Sequence, residues 1–505
     1  MDIYKWTNEQ RRIIEDNNSL IVSASAGTGK TFVITQKVEY EIQLNQTFKK
    51  LAALTFTNKA ADELNSRLKK NNEGNFIGTI HNFVLNEIIN PFFKDLYNLN
   101  YEGDFSYSTT LKFHKIEDGI KILSELGQVG NYHDNKKSFI FELALLIIKS
   151  SEACQLFIKS KYYKIFIDEY QDCDVSMHNL FLYILDNLKI PLIIVGDEKQ
   201  SIYSWRGADP QLFKSLLTSA KFKQHRLSTN FRSDASIQNY ANLIFGYKVN
   251  SFKDVERNNV LFLVVDRTDN VVLNVLNYID NKASLAILTR KNDVVKKFGN
   301  ILNGNGIKCA IVQKSPIENI HNKDSNIYLS IAKYVIAQDY SEYDFSKDVD
   351  LENKYKEVSF EELKTHLNKL TKIDKKYYKE VVCDIVKLFK LDFNEELYLK
   401  LKETINDDIF HYAFNINQYQ NVVMTIHAAK GLEYDQVVLL ADDFNFDNSE
   451  NRELHYVAST RAKSKLIIIA YNDCNSNKFW RYLKTRAETE GVELDKIIKK
   501  IKLNL

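Results

Sequence analysis

The run Ser23-Ala24-Ser25-Ala26-Gly27-Thr28-Gly29-Lys30-Thr31 has the residue types that hold a polyphosphate. An apolar stretch, Leu20-Ile21-Val22, precedes it. Phe32 to Leu44 follows with helical apolar spacing at Val33, Ile34, Val38 and Ile42. Strand, glycine loop, Lys-Thr and helix, in that order, set loop amides and a helix N-terminus against phosphate oxygens. In this reading Lys30 neutralises the β and γ oxygens of ATP, and the Thr31 hydroxyl holds Mg2+. Ala24 stands where the pattern has its first glycine, so Gly27 and Gly29 alone supply glycine's conformational freedom. The plainer alternative is a glycine turn before a helix, and it weakens as further segments are added.

The second half of a phosphoryl-transfer site follows a central strand, Tyr163 to Ile167, which ends in Asp168-Glu169-Tyr170-Gln171-Asp172. Asp168 is expected to hold Mg2+, and Glu169 to orient and deprotonate the attacking water. A solvated acidic turn is the alternative. The next strand, Pro191 to Val195, leads to Gly196-Asp197-Glu198-Lys199-Gln200, where the Gln200 amide is placed to sense a γ-phosphate. Tyr203, Trp205 and Arg206 then interleave aromatic and cationic groups, as a surface for stacking single-stranded bases does. Phe231 offers a ring to adenine and Arg232 a cation to phosphate, compatible with a helix cap at Ser228 to Asn230. Thr7 and Gln10 fit a capping box. Gln10 also suits adenine, which needs a donor and an acceptor side by side. Thr57 and Asn58 are good caps, or with the following helix a grip on a backbone phosphate with Phe56 under a base. Thr79 and His81 carry the same pair of readings.

These residues need two α/β units to position them. Strands at Leu51 to Thr55 and Phe76 to Ile80 complete the first unit, and residues 91–149 interrupt it as a helical, loop-like insertion rich in Tyr and Asn. A second unit begins near Val260 with strands at Ala286 to Arg290 and Cys309 to Val312. Residues 317–415 read as helical and highly charged, and the sheet resumes at Val422. Glu453 to Lys463 reads as one helix leading into the strand Leu466 to Ile469. The 505 residues, 44% hydrophobic and 27% charged, describe a globular chain of several domains, and a net charge of +2 says little about partners. Cys154, Cys173, Cys309, Cys383 and Cys474 lie far apart, which argues against structural zinc, an iron–sulfur cluster or a disulfide framework. Residues 1–12 do not read as a signal peptide, and Phe139 to Ile148 is too short to span a bilayer. A cytoplasmic protein without membrane partners is expected.

The order of motifs resembles the UvrD/Rep-like branch of superfamily 1 helicases: A-S-A-G-T-G-K-T, T-F-T-N-K-A-A, D-E-Y-Q-D, V-G-D-E-K-Q-S-I-Y-S-W-R-G-A-D, T-I-H-A-A-K-G-L-E-Y-D and Y-V-A-S-T-R-A. The resemblance implies an α/β fold of two RecA-like P-loop domains with ATP between them. On it, residues 1–90 and 150–250 form domain 1A, 91–149 insertion 1B, 251–316 and 416–505 domain 2A, and 317–415 a reduced insertion 2B. It implies that Gln10 and Phe231 take adenine, Glu433 meets the ribose, and Gln200 and Arg232 contact the γ-phosphate. Arg461 becomes an arginine finger, which makes hydrolysis depend on domain closure. Phe56, Tyr203, Trp205 and His427 fall on single-stranded DNA, with movement usually 3′ to 5′. The second insertion is smaller than in relatives that unwind DNA, and any nuclease is expected from another chain.

A narrower likeness lies in Phe166 to Asp172, Met177 to Tyr183 and Gly74 to Thr79, which resemble the helicase-like subunits of Gabija antiphage defence complexes. This implies a hetero-oligomer with a GajA-like nuclease of the OLD/TOPRIM type, acting on single-stranded DNA or DNA ends. The competing readings are a stand-alone repair helicase and a scaffold whose ATP site only gates assembly.

Overall fold

The computed structural model describes residues 6–503 apart from 69–73, 102, 104, 247–251, 267–270, 320–323, 350, 352–354, 375–376, 447–448 and 473. In chain order its strands are β1 (Leu20–Ala24), β2 (Lys50–Thr55), β3 (Phe76–Thr79), β4 (Ser106–Phe113), β5 (Gln128–Tyr132), β6 (Tyr162–Ile167), β7 (Leu192–Gly196) and β8 (Lys223–Leu227). Then come β9 (Val260–Val265), β10 (Leu285–Thr289), β11 (Cys309–Ile311), β12 (Asn421–Thr425), β13 (Tyr434–Leu440), β14 (Ala462–Tyr471) and β15 (Lys499–Lys502). One sheet runs β3-β2-β6-β7-β1-β8 and a second runs β11-β12-β10-β13-β14-β9-β15. Every pairing in both is parallel.

Parallel sheets need apolar cover on both faces, and these strands supply it by alternation. In the first sheet Ile21, Ala52, Leu54, Ile165, Ile167 and Ile194 face one core, while Leu20, Val22, Leu51, Ala53, Phe166 and Ile193 face the other. The second sheet divides likewise, with Phe262, Ala286, Val437 and Ile468 on one side and Leu263, Ile287, Val438 and Ile467 on the other. These are the two RecA-like units. In such sheets ligands bind beyond the carboxyl ends of the strands. Here those ends of β1, β6 and β7 deliver the phosphate loop, Asp168 and Asp197 to one rim.

Between β11 and β12 the described residues form only helices, the longest being Ser325–Ile336, Phe360–Leu370, Tyr378–Leu388 and Glu395–Asn406. They close on a core of their own around Tyr328, Leu367, Ile385 and Leu401.

Two local readings are corrected. The stretch 91–149 is not all helix and loop: β4 and β5 pair in parallel, Phe113 opposite Tyr132. Their run of Ser, Thr, Tyr and Phe favours a pleated, half-buried surface. The helix read through Lys463 is Ser449–Ser459. Thr460 turns its hydroxyl onto the Tyr456 carbonyl (2.8 Å), and Arg461 Nε takes that of Val457 (2.8 Å). The Thr460 amide still donates to the Tyr456 carbonyl (3.0 Å), but the Arg461 amide shifts to that of Ala458 (3.2 Å) and leaves Val457 to the guanidinium, so the helix ends and β14 starts at Ala462.

Candidate ATP site and nucleic-acid surface

The phosphate loop is shaped by two left-handed glycines, Gly27 (φ +75°) and Gly29 (φ +82°). Gly29 opens the helix Lys30–Leu44, which no side chain caps and whose first turn holds no acid. Its first amides face outward with the positive end of the helix dipole, as an anion site requires. Lys30 Nζ rests 3.2 Å from the Ala24 carbonyl and 4.0 Å from Asp197 Oδ2. Asn230 braces the loop, donating Nδ2 to the Ala26 carbonyl (3.0 Å), and the Phe231 amide donates to that of Gly27 (2.8 Å).

A methyl group on Gly27 would stand 2.5 Å from Asn230 Oδ1 and 2.8 Å from Arg232 Cβ. Gly27→Ala therefore meets a clash and left-handed strain of about 1–2 kcal/mol. The strain alone corresponds to roughly tenfold. Binding of a fluorescent ATP analogue should weaken by at least that factor, and unchanged affinity would show that the loop does not hold the nucleotide.

Asp168 and Glu169 follow β6 at the centre of the sheet. Burial, and then the Glu169 charge, push the Asp168 carboxyl up to about 7. Burial opposes ionisation of Glu169 too, but Lys30, Lys430, the Gln171 amide and Arg461 outweigh it and hold that carboxyl below its usual range. Glu169 sits at φ +54°, a strained conformation outside glycine, and accepts a hydrogen bond from Gln171 Nε2. A raised aspartate beside an ionised glutamate is a donor set short of positive charge, so the pair fits Mg2+. Among the described residues no cluster of three or more His, Cys, Asp or Glu side chains exists to cage a metal. Asp168 and the Thr31 hydroxyl would share the ion with phosphate oxygens, the usual habit of Mg2+. When bound, it would supply positive charge to offset that of the phosphates.

The second sheet reaches into this rim. Arg461, 2% exposed, donates Nη2 to Gln200 Oε1 and Nη1 to the Leu432 carbonyl, each 3.2 Å. Burial, then the neighbouring Arg232, push the Arg461 guanidinium down to about 10. Gln200 in turn donates to Asp197 Oδ2 (2.6 Å). Lys430 binds Asp172 Oδ2 (2.5 Å) and the Gln200 carbonyl (3.0 Å). Tyr456 Oη accepts the Ala26 amide of the phosphate loop (3.3 Å). Lys30, Lys430 and Arg461 thus converge from both sheets around Glu169, with Arg232 beside Arg461.

Of the residues read as nucleoside contacts, Gln10 is buried and completes the capping box: its Oε1 accepts the Thr7 amide (3.0 Å) while Thr7 Oγ1 accepts the Gln10 amide (3.2 Å). Phe231 is 61% exposed, a free ring face. Glu433 is gripped by Arg232 (2.7 Å) and Lys463 (2.9 Å). Ser25, Ala26 and Thr28 lie in the loop itself, with Ser25 Oγ accepting from Lys199 Nζ (3.1 Å).

Trp205 is half exposed and carries Arg206 over its ring at 4.4 Å. Tyr203 lies 6.0 Å from His427 and under Lys430 Nζ at 4.7 Å. The groups read as a stacking surface are therefore adjacent, and Lys430 joins them to the carboxylate rim. Other candidates stand nearer the core. Thr57 caps the helix Asn58–Arg67 through the Ala60 amide, and Thr79 caps the next through that of Asn82. Phe56 packs half-buried on the apolar core. His81 lies edge-on to Phe141 at 4.8 Å; burial, then Arg206, push it down to about 4, so it is neutral near pH 7. The Asn58 side chain lies outside the described residues.

Residues 10–206 match the AAA domain family and residues 317–473 the UvrD-like helicase C-terminal domain family. The chain is 35% identical to the Gabija protein GajB of Bacillus cereus (strain VD045), across 97% of its own length and all of that protein's. It belongs to the GajB family of UvrD-like helicases. DNA helicase II of Rickettsia typhi is 24% identical over 92% of the chain and 91% of its own. The ATP-dependent DNA helicase Rep of Escherichia coli K12 is 29% identical over 46% of the chain and 42% of its own. Helicase, ATP-binding and DNA-binding character come with this GajB-type membership. No helix among the described residues is long and apolar enough to cross a membrane.

Reading the sequence gave no role to Lys430, Asp172, Asp197, Lys199 or Tyr456. Their one signal was position inside motifs already quoted for other residues.

Proposed function

We propose that this GajB-type helicase hydrolyses Mg2+-ATP when single-stranded DNA or a DNA end occupies the surface of Tyr203, Trp205, Arg206 and His427. The observation that carries the reading is Lys430: one ammonium touches Asp172, the Gln200 carbonyl and the face of Tyr203. A base stacking on Tyr203 presses on the group that holds the γ-phosphate sensor.

In this reading Lys30 and the loop amides bind the phosphates, and Thr31 with Asp168 holds Mg2+. Glu169 takes the proton of the attacking water. Gln200, Arg232 and Arg461 stabilise charge on the transferring phosphoryl group. Gln10, Phe231 and Glu433 hold the nucleoside, with Glu433 released from its cations when they turn to phosphate. Domains 1A (1–90 and 150–250) and 2A (251–316 and 416–505), with insertions 91–149 and 317–415, follow the two sheets. Stepping would run 3′ to 5′ as in relatives of this type. Similarity to GajB supports a cytoplasmic hetero-oligomer with a GajA-like OLD/TOPRIM nuclease.

Steady-state ATP hydrolysis titrated with oligothymidylate tests the DNA reading. A stacked base is worth about 1–3 kcal/mol, so Trp205→Ala should raise the DNA concentration for half-maximal stimulation by roughly 5- to 150-fold. An identical titration curve would remove Trp205 from the DNA surface. Affinity purification from cells carrying the native operon should bring down a nuclease subunit, and a solitary chain would favour the stand-alone helicase.

A further inference from the structure

The paired strands β4 and β5 end side by side, Lys112 opposite Asn131 and Phe113 opposite Tyr132. Alternation sends Phe113 and Tyr132 inward, 4% and 5% exposed. It turns Lys112, His114, Asn131 and His133 outward, all exposed. The His133 amide donates to the Phe113 carbonyl (2.9 Å), continuing the register past the strands. The two imidazoles consequently stack, ring centroids 4.3 Å apart and planes 21° from parallel. Exposed Lys115, Lys136 and Lys137 flank them. None of Lys112, Lys115, Lys136 or Lys137 takes part in an ion pair among the described residues. The carboxylates nearest in the chain are Asp134, Glu117 and Asp118. Asp134 Oδ1 is taken by the Lys136 amide (3.0 Å).

This patch abuts the candidate stacking surface. A side chain at Gly207, directly after Trp205 and Arg206, would collide with the Lys136 carbonyl, so the two loops are in direct contact. A flat, exposed aromatic pair ringed by unpaired ammonium groups has the composition that grips single-stranded nucleic acid, base on ring and phosphate on cation.

We propose that the strand ends of β4 and β5, through His114, His133, Lys112, Lys115, Lys136 and Lys137, form a second contact for the same single strand that stacks on Trp205. The inference rests on the proposed DNA reading of Trp205. This contact adds length to the footprint: its lysines take backbone phosphates and the histidine stack takes a base. It carries no sequence preference, because every base has a stacking face.

The test is the salt dependence of oligothymidylate binding, by fluorescence anisotropy, for three proteins. These are the wild type, Trp205→Ala and a variant with Lys112, Lys115, Lys136 and Lys137 each changed to Gln. Each phosphate contact on a single strand contributes about 0.7 to the slope of log affinity against log salt. The lysine variant should lose about 2–3 of that slope and bind at least roughly tenfold more weakly at moderate salt. His114→Ala with His133→Ala should weaken binding and leave the slope unchanged, which separates stacking from charge. Equal melting temperatures show that these exposed changes leave the fold intact. Wild-type slope and affinity in the lysine variant, with Trp205→Ala impaired, overturn this inference alone. A wild-type protein that binds no oligonucleotide overturns the DNA reading as well. Wild-type DNA binding together with loss of the nuclease subunit would assign the patch to a protein interface and overturn the proposal.

Discussion

Arg461→Ala is expected to lower the turnover number for ATP hydrolysis by about 10³-fold or more, the scale on which an arginine finger acts. Nucleotide affinity should change far less, because Lys30 and the loop amides lie on the other sheet. The guanidinium serves Gln200, Val457, Leu432 and Thr460 at once. A lysine offers a point charge without that fork, so Arg461→Lys should recover little of the rate. Alanine leaves buried carbonyls without a donor, so melting temperature is measured beside the kinetics. A folded Arg461→Lys protein with wild-type turnover would exclude the finger.

Glu169→Gln should cut turnover by about 10²–10⁴, the usual contribution of a positioned general base. Its effect on the metal runs the other way. Burial and then the Glu169 charge keep the Asp168 carboxyl up near 7, so protons compete with Mg2+ below that pH. The Mg2+ concentration needed for ATP binding should therefore fall as pH rises through about 7. Removing the Glu169 charge lowers the Asp168 pKa and shifts that dependence toward acid. A nucleotide-binding titration against Mg2+ between about pH 6 and 8 reads it directly. Retained turnover would remove Glu169 as the base, and an unshifted Mg2+ profile would refute the coupling.

The fold was legible where local pattern and tertiary demand coincide. Apolar runs such as Ile165 to Ile167 and Ile193 to Val195 are buried on both faces of a parallel sheet, so their hydrophobicity announces them. The loop Gly27 to Thr31 and the pair Asp168-Glu169 could be read because strand ends deliver them in a fixed chain order. β4 and β5 escaped notice because apolar and polar residues do not alternate cleanly along them: Ser108 and Gly130 are buried, and the register shifts between Tyr107 and Lys112. The helix end at Ser459 was missed because no glycine or proline marks it; the Arg461 guanidinium sets it by taking the Val457 carbonyl in place of the Arg461 amide. Nothing local marks Lys430 as a partner of Asp172, 258 positions away. Such pairs arise from how two sheets face each other.

The long reach of these pairs bears on how the protein comes into being. The phosphate loop, Asp168 and Glu169 leave the ribosome with the first sheet, whereas Arg461 meets Gln200 across 261 residues and Tyr456 meets Ala26 across 430. A nascent chain therefore carries the loop and both carboxylates well before it carries Arg461. A chain that stops between β8 and Arg461 would lack that guanidinium, and on the proposed finger role its hydrolysis should be slower by about 10³-fold or more.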